Sequence, residues 1–253
     1  MITDPLFYLI TIPALIITGI SKGGFGSGLG SIAVPLMALC VPVPQATAIM
    51  LPILIAMDWI GIWRFRRDWD RPNMAIIMAG GTLGVVVGYL TFKHLPEHLI
   101  RLMIGLIAVG FVANAWRRRN FAAIPAPRSW PRGAFWSSLS GLTSFVANAG
   151  GPPLGVYLLP LRLPRTQFVA TTVVFFTAIN LLKVPPFLAL GQFTRTTLMT
   201  ALVLMPLAPI GMAQGIWLHG RLDDRVFYRL CNWFLLLTGL KLVWDGLSRA
   251  LGA

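Results

Sequence analysis

Apolar residues come in long blocks along this chain, separated by short polar turns. The blocks run over 6–20, 24–42, 46–63, 73–92 and 98–116 and, after an arginine-rich stretch from Arg117 to Arg132, over 133–147, 150–161, 166–184, 196–217 and 229–248. Most approach the ~17–25 residues that cross a bilayer as a helix, and none shows the ~10-residue alternation of a barrel strand. The pattern predicts an all-α integral membrane protein: a first transmembrane repeat over 1–116, a basic cytoplasmic linker over 117–132, and a second transmembrane repeat over 133–253. Each repeat holds about five segments, eight to ten in total, because 24–42 and 150–161 carry glycines and prolines that suit half-helices or re-entrant loops.

Two of the blocks are interrupted in a similar way. Gly19-Ile20-Ser21-Lys22-Gly23-Gly24-Phe25-Gly26-Ser27-Gly28-Leu29-Gly30 concentrates glycine between apolar runs, and Ala147-Asn148-Ala149-Gly150-Gly151-Pro152-Pro153 cannot stay helical throughout. Glycine loses the most freedom on ordering and proline lacks an N–H, so both runs weaken a helix. Non-helical backbone at membrane depth is tolerated only where protein or a water-filled cavity surrounds it. Broken segments at matching places in two halves point to a transporter's binding site. The other reading is that these small residues only let helices pack closely.

The halves are related by a shift of 122 positions. It pairs Gly19 with Gly141, Gly28 with Gly150, Pro42 with Pro164, Gln45 with Gln167 and Phe65 with Phe187, and sets Asp58 opposite Asn180. With five crossings per repeat the N-terminus is outside, the repeats are inverted, and the inner loops hold 15 of the 21 lysines and arginines. The positive-inside rule favours this over a parallel four-plus-four scheme, which collects about 13.

Composition sharpens the class. Hydrophobic residues make up 56% of the 253, charged residues only 11%, and the mean hydropathy is +0.74; a soluble domain is about a quarter charged. The net charge of +13 does not indicate nucleic acid, because the basic residues sit in short loops beside Trp63, Trp69, Trp116, Trp130 and Trp217. Tryptophans there suit headgroup anchoring. Cys40 and Cys231, both in apolar runs, make neither a disulfide framework nor a metal motif. His94, His98 and His219 fall in short loops without acidic or cysteine companions, and no nucleotide phosphate loop is present, so no metal or other cofactor is expected. Met1-Ile2-Thr3-Asp4 lacks a basic n-region, so the first block is expected to be retained.

Two stretches carry a family resemblance. Gly26-Ser27-Gly28-Leu29-Gly30-Ser31-Ile32-Ala33-Val34-Pro35-Leu36, then Gly150-Gly151-Pro152-Pro153-Leu154-Gly155-Val156-Tyr157-Leu158-Leu159 followed by Asn180 and Lys183, resemble the signatures of the sulfite exporter TauE/SafE family, also called the toluene-sulfonate uptake permeases. Leu29 stands where that family usually carries glycine, which makes the cavity wall bulkier there. The resemblance covers nearly the whole chain. It implies a multi-pass carrier in the bacterial inner membrane for small organosulfur anions such as sulfite, sulfoacetate or other sulfonates, working as exporter or importer. The expected partners are that anion and the lipid bilayer, with a homodimer as an option and no nucleic acid.

The expected substrate contacts are Lys22, Gly26, Ser27, Gly28, Gln45, Ser144, Asn148, Gly150, Gly151, Gln167 and Asn180. Backbone N–H groups at a broken helix carry the positive end of its dipole and suit sulfonate oxygens. Gly26, Ser27 and Gly28 form one such cup and Asn148, Gly150 and Gly151 the other, with hydroxyls available from Ser21, Thr143 and Ser144. Lys22 either meets the anion or is a helix-end lysine at the interface; Gln45 and Gln167 either line the cavity or bond to backbone freed by the breaks. Asp58, the carboxylate deepest in an apolar run, is the proton-coupling candidate, unless it pairs with Arg64. Lys183, one helical turn from Asn180, can also snorkel outward, and Lys241 and Asp245 form an i,i+4 pair. These features fit a secondary transporter working by alternating access. A membrane enzyme needs convergent acid–base groups that the apolar runs lack, and a membrane scaffold requires neither duplication nor breaks.

Overall fold

A computed structural model describes residues 1–26, 33–37, 39–92, scattered positions between 96 and 116, 125–221 and 223–250. Among the described residues every regular element is helical. In chain order they are α1 (Pro5–Phe25), α2 (Ala33–Met37), α3 (Val43–Phe65), α4 (Arg71–Thr91), α5 (Trp130–Ala147), α6 (Gly151–Leu158, extended by a 3-10 turn over Leu159–Leu161), α7 (Arg165–Ala189), α8 (Arg195–Leu204), α9 (Leu207–His219) and α10 (Asp224–Ala250).

The starts follow local chemistry. Asp4 caps α1 by accepting the Leu6 N–H at 2.9 Å, with Pro5 in the first turn. Asp70 caps α4, and Thr194 with Thr197 forms a capping box on α8. Each satisfies amides that a helix start leaves without partners. α1, α3, α4 and α7 are each long and apolar enough to cross a bilayer, and α8 with α9, bent by 45°, makes a fifth span if taken as one. That number covers the described residues only; much of the 98–116 block lies outside them.

Two expected boundaries are corrected. The first block does not stop at 20 but runs on through Gly23 and Gly24 to Phe25, and among the described residues of the 24–42 block Ala33–Met37 forms a helix of its own. The 196–217 block is two helices meeting at Met205-Pro206. Proline cannot donate to the preceding turn and clashes with it, which accounts for the bend.

Helices pack across the linker in two glycine-lined pairs. A Cβ placed on Gly19 of α1 would stand 2.7 Å from the Gly211 Cα of α9, and one on Gly24 would stand 2.9 Å from the Gly215 carbonyl oxygen. In α4, Gly80 lies on Ala134 and Ser137 of α5, Gly84 on Ser138 and Leu142, and Gly88 on Phe145. The contacts in each pair climb together along the chain, so both pairs are parallel. Small residues that admit a neighbouring backbone are the usual contact surface between membrane helices. Gly19, Gly23 and Gly24 are therefore packing residues within a continuous helix, and the break in α1 comes only at Gly26.

The third cross-linker contact is α3 on α7. Asp58 meets Asn180, Gly61 meets Val173, and the Asp70 N–H just beyond α3 donates to Thr171 Oγ1 at 2.9 Å. As the chain advances along α3 the contacts retreat along α7, so this pair crosses antiparallel. Phe7, Phe65, Phe145, Phe175 and Phe187 are buried inside the bundle, while Leu9, Trp63 and Trp244 face outward, as lipid-facing positions do.

Candidate functional site

α1 ends at Gly26 with φ of 67°, and α5 ends at Asn148 with φ of 50°. Both are left-handed turns at positions related by the repeat shift of 122. Glycine adopts that conformation freely, and asparagine does so more readily than most residues. The Asn148 N–H donates back to the Ser144 carbonyl and the Ala149 N–H to the Thr143 carbonyl, each at 3.1 Å, which closes the end of α5. α6 restarts at Gly151, with Pro152 and Pro153 in a first turn where their missing N–H groups forfeit no helical bond.

Beside the second break lies a cavity of about 30 Å³. Thr18, Lys22, Ser144, Asn148, Gly151 and Asn180 line it, with Leu54 and Phe176 as its apolar wall. That is enough for a water or one small polar group; an organosulfonate needs the walls to part.

Buried charge surrounds the cavity. Lys22 is 2% exposed and Asp58 0%, and Lys22 Nζ stands 2.7 Å from Asp58 Oδ1, an ion pair, and donates to the Leu54 carbonyl at 3.4 Å. Asn180 Nδ2 donates to Asp58 Oδ2 at 2.7 Å. Lys183 is fully buried. Its Nζ donates to Asn148 Oδ1 at 2.6 Å and to the Ser144 carbonyl and Oγ at 3.1 Å each. An ammonium has three donors, and here three neutral acceptors take them. Among the described residues no carboxylate lies within ion-pair distance of Lys183. The cluster thus sets two lysines against one carboxylate, and with both lysines protonated that arrangement is costly in low dielectric unless an anion completes it.

The structure brings together Lys22, Ser144, Asn148, Gly151 and Asn180, and sets Asp58 directly behind Lys22. It overturns three of the alternatives: Lys22 is not an interfacial lysine, Asp58 pairs with Lys22 and not with Arg64, and Lys183 does not snorkel. The Asn148 amide caps its own helix, so the side chain, not the backbone N–H, is what this residue brings to the site. Gly150 sits behind the wall, where its carbonyl accepts from Ser140 Oγ at 2.7 Å; Gly26 packs on Thr172 and Phe168. Thr143 Oγ1 donates to the Leu139 and Ala149 carbonyls, stitching the break together. Ser27 and Gly28 lie outside the described residues.

Gln45 and Gln167 are not part of the cluster. Each is 13 residues from Asp58 and Asn180 respectively, about 20 Å along a helix. Gln45 instead lines an open cleft of about 460 Å³ with Pro42, Pro44, Gln192, Thr194 and Thr197. Near the opposite end of α3 the chain is pinned. Buried Asp70 accepts from Arg128 and from Asn73 Nδ2, both at 2.9 Å, and Tyr157 of α6 donates to Asn73 Oδ1 at 2.8 Å. His219 is not in a loop: it ends α9, buried, with Nδ1 3.1 Å from the Gly24 carbonyl and Nε2 3.2 Å from Thr166 Oγ1.

Lys183 is the residue that sequence reasoning left out of the site. Counting charges within apolar runs was the available signal: once Lys241 is matched to Asp245 and Lys22 to Asp58, one lysine remains.

Helices that break beside a buried cavity lined by Lys22 and backed by Lys183 define a membrane protein with a site suited to a small anion. More particularly, the family model described as sulfite exporter TauE/SafE matches residues 11–242, and the chain belongs to that family of membrane transporters of sulfur-containing anions. No curated protein and no solved structure matches the chain.

Proposed function

We infer that this protein is a secondary transporter that carries a small anion such as sulfite, sulfoacetate or another sulfonate across the bacterial inner membrane by alternating access. The observation that carries the reading is the buried cluster of Lys22, Asp58, Asn180, Lys183, Ser144 and Asn148, which has one lysine more than it has carboxylates and sits beside a helix break.

Several features support an inverted duplication of eight to ten spans, with repeats over 1–116 and 133–253. Gly26 and Asn148 share a left-handed turn, and α3 and α7 cross antiparallel through Asp58 and Asn180. The first helix of each repeat pairs in parallel with the late helix of the other. A two-fold axis lying in the membrane plane generates all three relations at once. The open cleft at Gln45 and the pinned end at Asp70 give the two ends of α3 different accessibility, as a carrier open to one side requires. In this scheme Asp58 couples protons: protonation removes the charge that holds Lys22, and Lys22 then turns to the anion.

Counterflow of labelled sulfite or sulfoacetate in proteoliposomes tests the reading. Uptake against an internal pool of unlabelled anion is expected. Its absence across a panel of sulfur anions, in protein that inserts and runs monodisperse, would count against transport.

A further inference from the structure

The fate of each charge in the cluster limits what the cavity accepts. The charge on Lys22 is met at 2.7 Å by Asp58, and the other oxygen of Asp58 is met at 2.7 Å by Asn180. The charge on Lys183 is met by no carboxylate among the described residues, only by the oxygens of Ser144 and Asn148. We propose that the cavity selects a singly charged oxyanion group, such as hydrogen sulfite or one sulfonate, over a doubly charged or neutral group of similar size, and that Lys183 supplies the selecting charge from behind Ser144 and Asn148; the carboxylate of sulfoacetate, which is doubly charged as a whole, then lies outside the cavity. The proposal rests on the transporter reading for the purpose of the site, but its test reads binding alone.

One negative charge makes the buried cluster neutral. A second would be left unpaired in a desolvated space, and a neutral molecule would leave Lys183 unmatched; both outcomes are unfavourable where few solvent dipoles compensate. Lys183 also sets the direction of its neighbours' hydrogen bonds. With Asn148 Oδ1 turned onto the ammonium at 2.6 Å, the amide of that side chain turns the other way, and its nearest acceptor is the Thr47 carbonyl at 3.5 Å. With Ser144 Oγ accepting from the same ammonium, its hydroxyl hydrogen is the part left to offer. Both residues line the cavity. At Ser144 the wall therefore offers a hydroxyl donor, and at Asn148 the acceptor oxygen is turned onto Lys183 and away from an incoming anion. Lys183 is a positioning residue that acts on the ligand through Ser144 and Asn148.

The test uses three probes of one size and fixed charge: dimethyl sulfone, neutral; methanesulfonate, singly charged; sulfate, doubly charged. Isothermal titration of the purified full chain is expected to show methanesulfonate binding at least about tenfold more tightly than sulfate, with no binding of dimethyl sulfone. Asp58→Asn adds one positive charge to the cluster and is expected to move the preference toward sulfate by at least about tenfold. Lys183→Met is expected to lose methanesulfonate, and Lys183→Arg to keep the wild-type order. A purely structural role for these residues would weaken all probes together and would not reorder them. Sulfate binding as tightly as methanesulfonate in the wild type overturns the proposal, as does an unchanged order in folded Asp58→Asn. If the variants do not fold, the wild-type order decides. Binding of none of the probes also overturns it, and counterflow of sulfite by the same preparation then says separately whether the transporter reading stands.

Discussion

Asn148 performs two tasks that substitution can separate. Its backbone holds the left-handed turn at φ of 50°, and its Oδ1 takes the shortest hydrogen bond of Lys183, at 2.6 Å. Alanine fails at both. Alanine tolerates that turn less well than asparagine, by a part of the roughly 1–2 kcal/mol that an ordinary L-residue pays there, and loss of a hydrogen bond to a buried charge costs roughly 1.5–3 kcal/mol. Asn148→Ala should therefore lose about 2–4 kcal/mol of stability. At roughly 2–4 °C per kcal/mol for a chain of this size, the unfolding midpoint falls by about 4–16 °C. Asn148→Gly restores the turn but not the acceptor and should recover about 1 kcal/mol of that loss after its own chain-entropy cost. Asn148→Asp keeps shape and acceptor, so it should remain near wild-type stability. Its carboxylate cancels the excess ammonium, and methanesulfonate binding should disappear. Thermal unfolding in detergent, followed by tryptophan fluorescence, reads stability, and titration reads binding. Equal midpoints for the alanine and glycine variants would refute the turn argument. Undiminished methanesulfonate affinity in Asn148→Asp would refute the charge argument.

Three more outcomes are expected. Asp58→Asn should abolish stimulation of transport by a pH gradient while sulfite counterflow persists; a mutant still driven normally by the gradient means that coupling lies elsewhere. Single cysteines at the exposed positions Asp68 and Pro127, in a background without native cysteines, should react only with membrane-permeant reagents, whereas one at exposed Thr196 should react from outside; labelling of the first two from the periplasm would invert the topology. Gly211→Ala should lower the unfolding midpoint, because its Cβ would stand 2.9 Å from the Ile16 carbonyl oxygen and 3.0 Å from the Gly19 Cα, and overpacking costs about 1–3 kcal/mol. Gly110→Ala, with nothing within 4 Å of the added carbon, is the control and should not.

How much was legible in the chain differs from residue to residue. The break at Asn148–Pro153 was legible because proline and glycine act locally. The shift of 122 set Asp58 opposite Asn180, and these two residues prove to be in contact. The mixture of roles within Gly19–Gly30 was not. Gly19 and Gly23 share the four-residue spacing of packing glycines, and only the α9 backbone opposite them distinguishes packing from breaking. The burial of Lys22 was hidden because its partner lies 36 residues away on another helix. The register misled over Lys183, whose counterpart in the first repeat is Gly61, so no matching charge drew attention to it. It misled again at Gln45 and Gln167, because matching positions can both lie far from the centre, here 13 residues from Asp58 and Asn180.

The glycine contacts carry a mechanical consequence. They seat α1 against α9 backbone to backbone, and α4 against α5 likewise at Gly84 and Gly141, with Phe145 closing that seam at Gly88. Each seated pair joins a helix from before the linker to one from after it. In the proposed alternating-access scheme the bodies that swing are therefore not the two sequence halves but two exchanged assemblies, each built from both. In the proposed inverted duplication the contact between Asp58 and Asn180 lies on the two-fold axis, where a rocking motion displaces atoms least. A charge placed at such a fulcrum acts on both lever arms at once. A ligand that neutralises it can change which arm is lower without travelling far itself. For the same reason the halves, produced as separate polypeptides, would each expose unfilled glycine grooves, and would become competent only by finding one another in the membrane.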